Sequence, residues 1–169
     1  MTPDRKDLVR ATHGAVYVEF LIAFLPLFVM FMSLVQLAFV VVANIATKNA
    51  AVAAVRAAVV VLPDDPAFYD GEAVNKTSEH RKQAIEAAAK ARLLSVSTEP
   101  KIELIFPSSA GGEDNRTAFQ RDDLVRVRLT FDYPCKIPIG SLFVCKSLDL
   151  HKKLKAEAAM PMQGAGYDY

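Results

Sequence analysis

The sequence predicts an α+β protein. A long N-terminal transmembrane helix extends into a small domain, in which a second helix packs on a three- to four-stranded antiparallel sheet. Three observations carry this expectation. No residue from Phe20 to Ala43 is charged. Two later segments, DLVRVRLTFDY and the stretch from Leu148 to Met160, alternate apolar and polar residues with period two, the pattern of strands with one buried and one wet face. Between the two regimes lie Pro63, Asp64, Asp65 and Pro66, a combination that stops a helix.

The uncharged run is broken only by Pro26, Ser33 and Gln36 among its apolar residues. As a helix it measures about 36 Å, against a bilayer hydrocarbon core of about 30 Å. It is much longer than the core of a removable secretory signal, about 7–15 residues, and continues apolar past Ala43. The expected organisation is a short polar N-terminal segment, a long helix that spans a membrane over about 20–43 and continues to 62, and an extracytoplasmic domain over 63–169. Arg5, Lys6 and Arg10 precede the span and place the N-terminus in the cytoplasm, because flanking basic residues set orientation. Pro26 lacks an N–H and crowds the carbonyl of Ile22, so a kink is expected there. Beyond Ala43, the residues Asn44, Lys48 and Arg56 form a polar stripe, while Ala43, Ala46, Ala50, Ala53, Ala57 and Val60 form a small-residue seam suited to close packing.

A second helix is expected from a cap at Thr77 or Ser78 to about Leu94, with Ile85, Ala88, Ala89, Arg92 and Leu93 near helical spacing. KIELIF, from Lys101 to Phe106, reads as a strand ended by Pro107. The polar loop from Ser108 to Arg121 is the expected surface for specific contacts. In the next strand Val125, Val127, Leu129, Phe131 and Tyr133 share one face; in the last, Leu148, Leu150, Leu154, Ala156, Ala158 and Met160 do, with only Lys152 breaking the alternation. Cys135 and Cys145 bracket the connection between these two strands. In an oxidising compartment they are expected to bond, contributing up to about 3 kcal/mol; the alternative is a pair of buried free thiols.

Other chemistry finds little support. Net charge is +1 with no basic stripe, so no nucleic-acid partner is expected. His13, His80 and His151 stand apart from any nucleophile or acid at a recognised spacing. No metal, cofactor or catalytic residue is assigned, and the acids near Asp64 and Glu113 lack calcium-loop spacing.

Just before the apolar run stand Gly14 and Ala15, then Glu19 at the fifth position after the glycine, followed by Phe20. This arrangement resembles the processing site of the tight-adherence (Flp/Tad) pilins. GAVYVEFLIAFLPLF, with Pro26 seven residues after the acid, is similar to the TadE-like pseudopilins of that system, as is NAAVAAVRAA from Asn49 to Ala58. The AAMP ending at Met160 and Pro161 matches more weakly. Together these cover about a third of the chain. The resemblance implies a pilin-like fold and a minor pseudopilin, a structural component or assembly factor of a Tad type IV pilus that serves adhesion or secretion. It implies cleavage between Gly14 and Ala15 by a prepilin peptidase, which makes 1–14 a cytoplasmic leader and 15–62 the mature N-terminal helix. Glu19 and Phe20 would act in assembly, with Glu19 pairing to the new amine of an adjacent subunit. The implied partners are other pilins and pseudopilins, the peptidase, the inner-membrane assembly platform and the lipid bilayer. The implied location is the inner membrane, single-pass, or the pilus itself. Type II secretion pseudopilins typically carry Phe where this chain has Ala15. An uncleaved single-pass envelope anchor or adaptor would share the span and the domain but keep its first fourteen residues and be indifferent to Glu19, and a membrane-tethered hydrolase would need a pocket of convergent polar groups.

Overall fold

The structure is a computed structural model that describes residues 12–145 and 150–162, with side chains from Val16 onward. The basic residues before Thr12, Leu148 and the C-terminal GAGYDY lie outside the described residues. The elements are α1 (Thr12–Val61), a 3-10 turn (Pro66–Phe68), α2 (Glu79–Leu93), β1 (Ile102–Ile105), β2 (Leu124–Pro134), α3 (Pro138–Val144) and β3 (His151–Pro161). The strands form one antiparallel sheet in the order β1-β2-β3, with Leu104 opposite Leu129 and Leu129 opposite Ala156.

α1 forms because it is rich in alanine and leucine and has no glycine after Gly14, and because its C-terminal half has the rest of the domain to pack on. The inner face of β2, Val125, Val127, Leu129, Phe131 and Tyr133, is wholly buried together with Leu104 of β1 and Leu154 and Ala156 of β3. These side chains share one core with a buried face of α1 made largely of small residues, Ala43, Thr47, Ala50, Ala51, Ala54, Val55 and Ala58, and with Leu62 just after it. Alanines let the sheet approach the helix axis, so the large sheet side chains fill the space between. Each of the larger ones contributes about 1.5–3 kcal/mol by leaving water. The expected seam is therefore corrected by about one residue of rotation: Ala43 and Ala50 are buried, Ala46, Ala53 and Ala57 are half-buried, and Val60 is exposed. The apolar residues of this half nearly encircle the helix, so spacing alone could not select which set meets the sheet.

α2 packs mainly against α1 and approaches the sheet at β1, and its Ile85, Ala89 and Leu93 belong to the same core as the inner face of the sheet. Its buried face is Arg81, Ile85, Ala89 and Leu93, a strict four-residue ladder, and Arg92 is exposed. Arg81 is fully buried, which its charge concealed in the sequence. Its guanidinium closes the C-terminal end of α1. Nη1 donates to the carbonyls of Val61 and Leu62, Nη2 donates to those of Asp64 at 3.1 Å and Glu72 at 3.2 Å, and the group lies 4.3 Å from the centre of the Tyr69 ring. The last carbonyls of a helix have no partner within it and carry the negative end of its dipole, so a planar cation with several donors suits them.

α2 begins at Ser78, whose side chain makes no capping bond to the helix. Its hydroxyl donates to Glu72, and Glu72 in turn contacts His80 Nδ1 at 3.0 Å. Hydrogen bonding from Ser78 and then His80 holds the Glu72 carboxyl below its ordinary value of 4.5. Glu72, with Asp70 3.2 Å from Nε2, holds the His80 imidazole above 6.5. The loop expected to present contacts, from Ser108 to Arg121, is partly tied down: Thr77 N donates to Thr117 O, Phe119 N donates to Asn75 O, and Phe119 is buried edge-on to Phe106.

On the outer face of the sheet, Arg128 Nε and Nη2 both donate to Glu157 Oε2, at 3.2 and 2.8 Å, and this first of all depresses the Glu157 carboxyl. In β3, Leu150 precedes the strand with φ 55° and is exposed, a correction to its expected inward place. Lys152 is explained by its amine, which donates to Val144 O at 3.2 Å and closes the end of α3.

Arg81→Ala is expected to lower domain stability by about 3 kcal/mol or more, because several buried carbonyls lose a charged donor. Arg81→Lys should recover only part of this loss in chemical denaturation, since a point charge cannot serve all four acceptors. The His80–Glu72 pair predicts a pH dependence. The raised His80 contributes stability below 6.5 that disappears as pH rises through its folded pKa; the lowered Glu72 contributes stability above 4.5 that disappears as pH falls through its own. The melting temperature should therefore decline as pH rises above 6.5 and through the raised pKa of His80, and His80→Gln should flatten that decline.

Candidate functional site

α1 has two unlike halves. From Val16 to Leu27 every side chain is exposed, and Phe28 and Val29 are only half-covered. The helix is long and apolar enough to cross a membrane, and only 11% of its most apolar window is buried within the molecule. A helix apolar on all sides requires lipid or other helices around it. The residues singled out at this end share one stretch. Gly14 and Ala15 lie in the first turn of α1, which begins at Thr12. Glu19 and Phe20 are exposed a little further on. Glu19 is the only charged residue between Val16 and Thr47. Phe20, Phe24 and Phe28 stack along one side, with ring centres 5.4 and 5.7 Å apart, the neighbour relation that a four-residue spacing creates. α1 is a single helix through Pro26.

The other singled-out pair, Cys135 and Cys145, is bonded, with Cα atoms 6.7 Å apart. It lies beside Gln36, about 25 Å along the helix from Glu19. The chain between the cysteines includes α3, a helix that the sequence reading did not assign. Two contacts fix it to α1. Gln36 is fully buried; its Oε1 accepts from the Ile137 backbone N–H at 3.0 Å, and its Nε2 donates to Cys145 Sγ at 3.6 Å. Gly140 is pressed against the helix so closely that a Cβ there would lie 2.5 Å from Met32 O and 2.8 Å from Gln36 Cβ. Only glycine permits this approach. Ser141, also buried, donates from Oγ to Pro138 O at 2.7 Å. α3 thus packs on one side of the middle of α1, and it leaves Ile139, Leu142 and Phe143 exposed.

Gln36 looked like a mere interruption of an apolar run. Its signal was its spacing: Gln36, Val40, Ala43, Thr47 and Ala50 follow one another by three or four, so it begins the buried face. Shallow grooves open to solvent lie among the described residues. One, of about 630 Å³, lies between α1 and α2 beside Asn49, Val52, Arg56 and Arg92. Another, of about 270 Å³, crosses the outer face of the sheet at Glu103, Arg128, Thr130 and Lys155. Among the described residues no group of three or more His, Cys, Asp or Glu could hold a metal ion.

Gly140→Ala should force α3 away from Met32, and Gln36→Leu should leave the Ile137 N–H without its acceptor. Both variants are expected to cleave faster in limited proteolysis between Pro134 and Cys145, with fragments that stay joined until the disulfide is reduced. Comparison with family models, curated proteins and solved structures finds no match to this chain.

Proposed function

We propose that this chain is a TadE-like minor pseudopilin: a single-pass protein of the inner membrane, with a cytoplasmic N-terminus and a pilin-like domain outside, that takes part in a Tad type IV pilus through α1. One observation carries the reading. The same continuous helix is bare and apolar from Val16 onward, with a lone carboxylate at Glu19, and becomes the core of its own domain from Gln36 to Leu62. Such a helix is suited to storage in lipid and to transfer into a bundle of like helices. Prepilin peptidase cleavage after Gly14 would give Ala15 a free amine about one turn from Glu19. An isolated carboxylate and an isolated ammonium are each costly in an apolar bundle, and pairing between adjacent subunits relieves both. Glu19 would then set registry among the pilins and pseudopilins. Above the bare half, Leu37, Val41, Ile45 and Val52 leave an exposed apolar edge on α1 that a neighbouring subunit's helix could cover.

An uncleaved envelope anchor is the second reading, and one observation favours it. α1 begins before Gly14, so the bond to be cut lies in helical backbone that a peptidase must first unwind. Intact mass of the protein from its native membrane, with and without the peptidase, separates the two. A chain beginning at Ala15 only when the peptidase is present supports the pseudopilin; a chain that retains Gly14 supports the anchor. Glu19→Ala should change domain stability by no more than about 0.5 kcal/mol, as for an exposed residue without partners, while it reduces recovery of the protein with sheared pili. Undiminished recovery would remove Glu19 from assembly.

A further inference from the structure

α3 is joined to α1 at Met32 and Gln36, and both residues belong to the uncharged run from Phe20 to Ala43. Met32 lies about 16 Å below Ala43 along the helix. If the hydrocarbon began at Ala43, α3 and the irregular chain on either side of it would stand deep in the membrane. Lys136 is exposed there, and the backbone between Pro134 and Ile137 is neither helix nor paired strand. Hydrocarbon does not accept lipid-exposed irregular backbone or an unpaired ammonium. The opposite placement, with α3 fully in water, leaves Leu142 and Phe143 69% and 68% exposed beside Ile139, a concentration of large apolar side chains on a seven-residue helix with no role in the core. One position satisfies both constraints. α3 lies at the boundary between headgroups and acyl chains, with Ile139, Leu142 and Phe143 in the acyl region and Lys136 among the headgroups, where a basic side chain favours anionic lipid.

We propose that α3 is a second lipid-binding element, an interfacial helix pinned by Gln36, Gly140 and the Cys135–Cys145 bond, and that it fixes where along α1 the domain-side leaflet ends. The inference rests on the reading of α1 as a membrane span. It moves the boundary from Ala43 to about Val35, and a core of about 30 Å then reaches back to about Val16. Glu19 falls about 5 Å inside the opposite edge, which sharpens its need for a partner.

The chain contains no tryptophan, so one introduced Trp reports its own surroundings. The full chain is reconstituted in vesicles of phosphatidylethanolamine and phosphatidylglycerol, with lipids brominated at shallow or deep acyl positions. Phe143→Trp tests α3, Phe24→Trp tests the span, and Phe68→Trp, at a side chain 77% exposed in the loop after α1, serves as the aqueous reference. Phe143→Trp is expected to lose most of its emission to shallow bromines and less to deep ones, Phe24→Trp to be quenched more by deep ones, and Phe68→Trp to be unaffected. If Phe143→Trp matches Phe68→Trp while Phe24→Trp is quenched, the span stands and the proposal for α3 falls. If Phe24→Trp escapes quenching, the membrane reading itself fails, and the proposal with it. Leu142→Trp repeats the measurement should Phe143→Trp prevent formation of the Cys135–Cys145 bond.

Discussion

Everything beyond the bare half of α1 depends on the contact between a helix face built from alanines and a sheet face built from large side chains. Ala43, Ala50, Ala54 and Ala58 of α1 are wholly buried in one core with Leu129, Phe131 and Tyr133 of the sheet. Neither surface could hide itself alone. A three-stranded sheet has one apolar face to cover, and of the two described helices after Pro63, α2 packs chiefly on α1 and α3 on the middle of α1. The helix thus belongs to the domain, because one core joins residues of α1, α2 and the three strands.

A buried polar side chain stands at each end of this contact. Gln36 holds the backbone of the α3 loop, and Arg81 holds the last carbonyls of α1. They bound a seam about 39 Å long. Both satisfy backbone groups that secondary structure leaves unpaired, where a missing partner is most costly. They therefore set the seam's limits as alanine, which fits many registers, cannot.

The layers of the fold were legible in the sequence wherever one periodicity stood alone. The alternation from Val125 to Tyr133 matches the buried face of β2 at each of its five apolar positions, and the prolines at 63 and 66 mark where α1 stops. Legibility failed where polar residues were buried by backbone partners far away in sequence. Arg81, Gln36 and Lys152 each looked like surface residues or interruptions, because the carbonyl or N–H that explains them belongs to another element. α3 was missed for a related reason: seven residues are too few for a helical period to show, and Gly140 reads as a turn residue until Met32 is seen against it. At the candidate site, Gly14, Glu19 and Phe20 were legible as a spacing, and the structure adds that the helix bearing them is uncovered.

The central claim is that one helix serves two environments, its C-terminal half being indispensable to the domain and its N-terminal half independent of it. The most direct test compares two fragments by cooperative thermal unfolding and amide hydrogen exchange. A fragment over 32–169 should fold, with the amides of α1 from Gln36 to Leu62 among the best protected, and a fragment over 63–169 should show no cooperative transition. A fragment over 63–169 that unfolds cooperatively at the temperature of the longer one would contradict the account, since the domain would then own a core that does not need the helix.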